Sequence, residues 1–406
     1  MASPRRIDVH FHLIPPFYRE AVYVSGRGPA LGKYPDWTPE LALDVMDAHG
    51  IEVALTSLAQ PGVGFGSEAS AQALARRCND YAAELVVRWP KRFGAFGTVP
   101  MWSTQGALDE IAYSLDALEF DGVSLFASYG ENFLGDPRFD PLLAMLNERG
   151  AVVFVHPGLH PSSKGLALPW PAFMMEYLFD TTRATVNLIF SGAVERFPRV
   201  HFILPHAGGL APYFAWRLSV SPMIDPRLPQ LSRAQVDAAL KHFWYDNALS
   251  PGEQTFGALD HVALPERVVF GTDYPFANPR VIAEMIKTYE SGFLSDARRA
   301  EIDQRQRAGA VSEIRVKLMT NAAGYVGFAI ASTSGATSLI SSSDHSRSPS
   351  SFARAAPSTG PTRSRNFALS PASSSGTMRE PSASSAWRVK LPRAVVTVTR
   401  AGRSCG

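Results

Sequence analysis

Between residues 6 and 275 the chain repeats one arrangement eight times: a short, β-branched apolar run followed by a longer helical stretch. The runs are RIDVHFH (6–12), IEVALTSLA (51–59), FGAFGTVP (93–100), GVSLFAS (122–128), AVVFVHP (151–157), VHFILPHAG (200–208), FWYDNAL (243–249) and RVVFGTDYP (267–275). Amphipathic segments such as PELALDVMDAHG and FDPLLAMLNERG lie between them, several closing on Gly or Pro, where helices stop. Eight strand–helix units are what a (β/α)8 barrel requires. A doubly wound open sheet would carry a Gly-rich turn after its first strand, and none is present. The expected fold is therefore α/β, a TIM barrel.

Three connections are longer than economy demands: 13–38 after strand 1, 158–175 after strand 5 and 209–242 after strand 6. All leave the barrel face where active sites are built, so they read as lids and pocket walls. Tyr18, Trp37, Trp170 and Phe276 are candidate walls. From Ala331 the character changes to a Ser-, Pro- and Arg-rich stretch with little apolar periodicity, the composition of a disordered tail. The expected organisation is a catalytic barrel over 1–330 and a low-complexity tail over 331–406. The tail holds ten basic residues against two acidic, whereas residues 1–330 hold 29 against 35. That mildly acidic body offers no phosphate-binding surface and no nucleic-acid partner is expected. Two cysteines, Cys78 and Cys405, form no disulfide framework, and no run approaches the ~20 apolar residues of a membrane span. The default expectation is a reducing, cytoplasmic setting without membrane contact.

The chemistry gathers at strand ends. On strand 1, His10 and His12 point to one face by simple alternation, and Asp8 joins them. His156 closes strand 5, His206 closes strand 6 and Asp273 closes strand 8. All five site residues, His10, His12, His156, His206 and Asp273, converge on one mouth. Three imidazoles and a carboxylate suit a divalent first-row ion such as zinc, with a position left open. His206 remains as a non-ligand acid/base, and Asp8 is expected to hold a ligand imidazole from behind. A lone His after an apolar strand is ordinarily a satisfied core or surface residue, and His49, His160, His201, His242, His261 and His345 read that way.

DVHFH, FVHPG, LPHAGG and GTDYPF, in that order and spacing, resemble the amidohydrolase superfamily. More narrowly they resemble its branch of metal-dependent, oxygen-independent decarboxylases of unsaturated and aromatic carboxylic acids, which includes the aminocarboxymuconate-semialdehyde and γ-resorcylate decarboxylases. The opening MASPRRIDVHFHLIPP most resembles the fungal 6-methylsalicylate decarboxylases, which make 3-methylphenol. The resemblance implies metal ligation by His10, His12, His156 and Asp273, with zinc or manganese as the ion and His206 as the catalytic histidine. It also implies a homodimer in which Arg217 reaches the neighbouring subunit's site to bind the carboxylate of a small aromatic acid. The family's other substrate arginine has no clear match, Arg27 and Lys33 being only nearby. The stretch after Gln304 runs longer than the family's usual ending, which puts barrel closure in question.

The reaction so implied protonates the ring carbon that bears the carboxylate and then loses CO2. The proton comes from Asp273, or from His206 acting with it, and no organic cofactor is called for. The competing reading is hydrolysis of an amide or lactone on the same barrel. Many superfamily hydrolases hold two metals through a modified lysine at the end of strand 4. Here that strand ends in GVSLFAS, which favours a single metal.

Overall fold

In a computed structural model, residues 5–29, 32–166 and 169–304 are described. Eight strands form one sheet, neighbours pairing in parallel in chain order: β1 (Arg6–His12), β2 (Ile51–Ser57), β3 (Phe93–Thr98), β4 (Gly122–Phe126), β5 (Val152–His156), β6 (His201–Leu204), β7 (Trp244–Asp246) and β8 (Val268–Val269). Three backbone bonds close the sheet into a barrel. Val9 N donates to Phe270 O at 3.0 Å, Asp273 N to His10 O at 2.7 Å and His12 N to Tyr274 O at 2.7 Å. Closure is thus complete within the described residues. The tail, the boundary near residue 330 and the long ending after Gln304 lie outside them.

Strands β5 and β6 stop short of the apolar runs that announced them, because Pro157 and Pro205 follow and a proline has no N–H to give the ladder. His156, the last residue of β5, and His206, just past β6, line the mouth. The connections carry helices α1 (Pro16–Val24), α2 (Pro39–Ala48), α3 (Glu68–Arg88), α4 (Thr104–Ala112), α5 (Asp140–Arg149), α6 (Phe173–Phe190), α7 (Ala193–Arg196), α8 (Ala211–Ile224), α9 (Arg233–His242), α10 (Glu253–Val262), α11 (Pro279–Tyr289) and α12 (Asp296–Gln304). Their starts are chemically marked. Ser67 and Ser232 make capping boxes, and Thr38, Ser103 and Asn278 accept from first-turn amides, satisfying donors the helix itself leaves unpaired.

Two apolar clusters result. The larger lies between sheet and helices. The smaller holds Ile7, Val9, Val53, Leu55, Phe96, Val152, Phe154, Ile203, Trp244 and Val269, drawn from every strand but β4 and from no helix. It fills the barrel, with Phe96 and Phe154 stacked at 5.6 Å and the edge of His10 against Phe154 at 4.9 Å. The site above therefore rests on a dry floor.

Membership of Ile7 and Val9 in that cluster corrects the simple alternation expected for β1. Its register against β2 shifts between Asp8 and Phe11, an irregularity of the kind that re-aims side chains beside active sites. His10 and His12 still converge, but Asp8 does not join them. Buried Arg6 ties β1 to the end of α2 through His49 O (2.7 Å), to the end of α11 through Glu290 and to α12 through Asp303 (3.5 Å).

Candidate active site

His10, His12, His156 and Asp273 each offer one ligand atom, and those atoms all lie within 4.8 Å of one another. All four residues are buried. Each imidazole is steered from behind. His10 Nδ1 meets Asp246 Oδ2 at 2.9 Å, His12 Nδ1 meets Ser57 Oγ at 3.1 Å and His156 Nδ1 meets Pro157 O at 2.7 Å. An acceptor behind Nδ1 fixes its proton there and turns the Nε2 lone pair into the site. His12 Nε2 lies 3.1 Å and His10 Nε2 3.3 Å from Asp273 Oδ1. His10 Nε2 is buried and makes no hydrogen bond, an expensive condition unless a ligand satisfies it.

The electrostatics agree with a cation site. Burial holds His12 below its usual value and His156 well below, so both are neutral donors. Burial would also lower His10, but the charges of Asp246 and Asp273 overcome it and push it up to about 10. Burial would raise Asp273, yet His10 and the hydrogen bonds of the histidines hold it well below the carboxylate range. Two buried carboxylates thus call for compensating positive charge, of which a proton on His10 supplies half and a divalent ion would supply the whole. Three imidazoles and a carboxylate fit such an ion.

His206 stands apart from the ligand set. Its Nε2 faces the other oxygen of Asp273 at 3.5 Å, and its Nδ1, unlike those of the ligands, has no hydrogen-bond partner. Backbone geometry aims it instead: His206 has φ +52°, Ala207 φ +57° and Asp273 φ +65°, the left-handed region that non-glycine residues seldom occupy and that clusters at functional sites. The conformation is held because His206 N donates to Asp246 Oδ1 at 2.8 Å. Asp246 therefore grips His10 with one oxygen and His206 with the other. It takes the part expected of Asp8, which accepts instead from His10 N, Thr272 N and Thr272 Oγ1.

The amidohydrolase family model matches residues 7–304. The chain belongs to that family. Its relatives include a 6-methylsalicylic acid decarboxylase of Penicillium expansum, 36% identical over 318 residues and spanning 77% of this chain and 97% of the relative. A 6-methylsalicylic acid decarboxylase of Aspergillus aculeatus is 38% identical over 295 residues, 70% of this chain and 88% of its own. Among solved structures, a 5-carboxyvanillate decarboxylase of Novosphingobium aromaticivorans, complexed with manganese and a nitrobenzoic acid, superposes with a TM-score of 0.67 at 20% identity, covering 75% of this chain and 95% of that one. At that identity the likeness carries the barrel fold.

In this amidohydrolase a cavity of about 380 Å3 opens above the cluster. His156, His206 and Asp273 lie at its base, and its walls are largely apolar: Pro29, Phe173, Met174, Leu178, Leu249, Phe276, Ala277 and Val281. Phe276 lines it as expected, edge-on to His12 at 5.5 Å. Tyr18 and Trp37 are instead core residues at 1% and 5% exposure, and Tyr18 OH donates to Gly62 O at 3.0 Å. Trp170 is 45% exposed and lies outside the lining. Arg27, Lys33 and Arg217 are also exposed and outside it. Among the described residues no lysine or arginine lines the cavity. Sequence reasoning passed over Gln60 and Tyr177, both in the wall. No helix among the described residues is long and apolar enough to cross a membrane.

Proposed function

We propose that this amidohydrolase is a metal-dependent, non-oxidative decarboxylase of an aromatic ortho-hydroxy carboxylic acid, with 6-methylsalicylate as substrate and 3-methylphenol as product. The observation that carries this is the pairing of a His10/His12/His156/Asp273 cluster with a neutral, mostly apolar cavity of single-ring size. Similarity to two 6-methylsalicylic acid decarboxylases across most of their length supports the choice of acid.

The ion, zinc or manganese, would be held by the four cluster residues and would supply Lewis-acid attraction for the substrate's oxygens. The apolar walls lay the ring against that base and exclude water. His206 Nε2 and Asp273 Oδ2 face each other at 3.5 Å at the cavity base, and one of the two delivers the proton to the ring carbon bearing the carboxylate. Protonation there breaks aromaticity, the C–C bond electrons return to the ring as CO2 leaves, and the phenol is restored.

A homodimer is part of the proposal. Tyr213, Trp216, Met223 and Ile224 stand exposed on α8 at spacings that place them with Arg217 along one helical face. Such an apolar stripe on a polar barrel marks an interface. A second copy docked there would bring Arg217 towards the neighbour's cavity, where it would meet the substrate carboxylate.

Hydrolysis on the same barrel is less well supported. The end of β4 places Phe126 against His156, perpendicular at 5.8 Å, with no lysine or carboxylate there to bridge a second ion. The test is a substrate panel on metal-loaded protein: 6-methylsalicylate, salicylate, 2,6-dihydroxybenzoate and the corresponding aryl esters and lactones, with products identified by mass. CO2 and 3-methylphenol are expected. Ester or lactone cleavage without decarboxylation would replace this reading with the hydrolytic one.

A further inference from the structure

A polar break in the cavity wall is formed by two residues that the metal chemistry does not use, Gln60 and Tyr177. Gln60 follows β2, and Tyr177 lies on the same α6 face that presents Phe173, Met174 and Leu178 to the cavity. Tyr177 OH donates to Gln60 Oε1 at 2.7 Å. Its ring lies 6.3 Å from that of the metal-cluster residue His156, so the pair stands beside the base rather than at the rim.

Hydrogen-bond inventory makes this spot selective. A free carboxamide presents both an acceptor and two donors. Here the acceptor is engaged by Tyr177, and among the described residues Gln60 Nε2 has no partner. Gly158 backs the amide: a Cβ built at that position would lie 3.6 Å from Gln60 Nε2 and 3.7 Å from Asp180 Oδ2. Asp180 in turn is occupied by Ser128 Oγ and Gly158 N, each at 2.8 Å, so it does not compete for the amide. With no lysine or arginine in the lining, the pinned amide gives the wall a neutral, donor-only contact.

We propose that Gln60, oriented by Tyr177, is the specificity-determining group that reads the oxygen substituent ortho to the substrate's carboxylate, and so separates hydroxy acids from amino and alkyl analogues. This rests on the decarboxylase reading for the class of ligand. A donor-only contact satisfies a phenol or phenolate oxygen. It faces an aniline N–H donor to donor, and leaves an amide unpaired against a methyl group. Tyr177 is a positioning residue: without its hydroxyl the carboxamide is free to turn and present Oε1.

The test is equilibrium binding by calorimetry to the metal-loaded full chain, using 2-hydroxy-6-methylbenzoate, 2-amino-6-methylbenzoate and 2,6-dimethylbenzoate. Wild type should prefer the hydroxy acid. Tyr177→Phe should narrow the hydroxy-over-amino preference about tenfold, the worth of one neutral hydrogen bond. Gln60→Glu, which exchanges donors for acceptors, should reverse it. Circular dichroism melts check that both variants fold. In turnover the Tyr177→Phe effect should fall on KM, with kcat within about twofold, because the contact is made in ground and transition states alike. An unchanged preference in two folded variants would overturn the inference while leaving the decarboxylase reading intact. Wild type that binds none of the three acids would overturn both.

Discussion

Asp246→Asn should uncouple the metal cluster from His206, the histidine proposed for the proton transfer, at one stroke. The carboxylate is fully buried and accepts three hydrogen bonds: from His10 Nδ1 at 2.9 Å, His206 N at 2.8 Å and Ala248 N at 3.0 Å. Asparagine keeps the shape but offers one acceptor oxygen, so its NH2 must face at least one of these donors. If the oxygen stays with the two backbone amides, the NH2 meets the Nδ1–H of His10. That ring then loses the acceptor that fixes its tautomer and basicity, and loosening a ligand in this way costs about 10–100-fold in metal affinity. If the oxygen turns to His10 instead, His206 N and Ala248 N are orphaned, at about 1–3 kcal/mol for an unsatisfied buried donor. Metal affinity would be measured by competition with a chromophoric chelator, and stability by urea unfolding of the metal-free protein. One of the two losses must be seen. Asp246→Asn with wild-type metal affinity and wild-type stability would refute the role assigned to Asp246.

Asn79 joins α3 to β3 and α4 through Thr98 N at 2.8 Å, Thr98 O at 3.0 Å and Glu110 Oε1 at 2.8 Å. Asn79→Ala should cost about 2–4 kcal/mol of unfolding free energy, read from a denaturant titration; a change below about 0.5 kcal/mol contradicts the assignment. Cys78 is buried, and burial pushes its thiol well up, so iodoacetamide should leave Cys78 unlabelled in native protein and label it after unfolding, as peptide mapping would show. Phe276→Ala removes a wall that packs on His12 and should raise KM for the aromatic acid about tenfold or more; an unchanged KM would show that the ring binds elsewhere. Arg217→Ala should raise KM while leaving metal content unchanged, and mixing it with the inactive variant His206→Ala should restore about a quarter of wild-type activity at low substrate if sites are completed across a dimer. No restoration on mixing contradicts the shared site.

Much of the barrel was legible because a parallel strand buried on both faces reads as a continuous apolar run. The runs ending in His156 and those leading to His206 and Asp273 also placed the cluster, since the C-terminal ends of barrel strands share one mouth. Alternation failed on β1, where the register shift between Asp8 and Phe11 is a property of the pairing with β2 and has no local signature. For the same reason Asp8 looked like the histidine's support and Asp246 did not. Asp246 is the one charged residue of the run FWYDNAL and ends β7 within it, and that lone carboxylate in an apolar run was the available signal. The walls were harder still. Tyr18, Trp37, Trp170 and Phe276 are alike as residues, and only the folded loops sort core rings from the exposed Trp170 and from Phe276 over the site. Gln60 and Tyr177 come together across 117 residues of sequence, with nothing in either segment to announce the pair.

The most direct test is a metal titration of decarboxylation. Protein stripped by chelator should form no 3-methylphenol from 6-methylsalicylate. Activity should return in proportion to added zinc or manganese and reach its plateau at one ion per chain. His156→Ala should neither hold the ion nor recover activity. Product formation by protein shown to be metal-free, or a plateau only at two ions per chain, would contradict a single-ion decarboxylase built on His10, His12, His156 and Asp273.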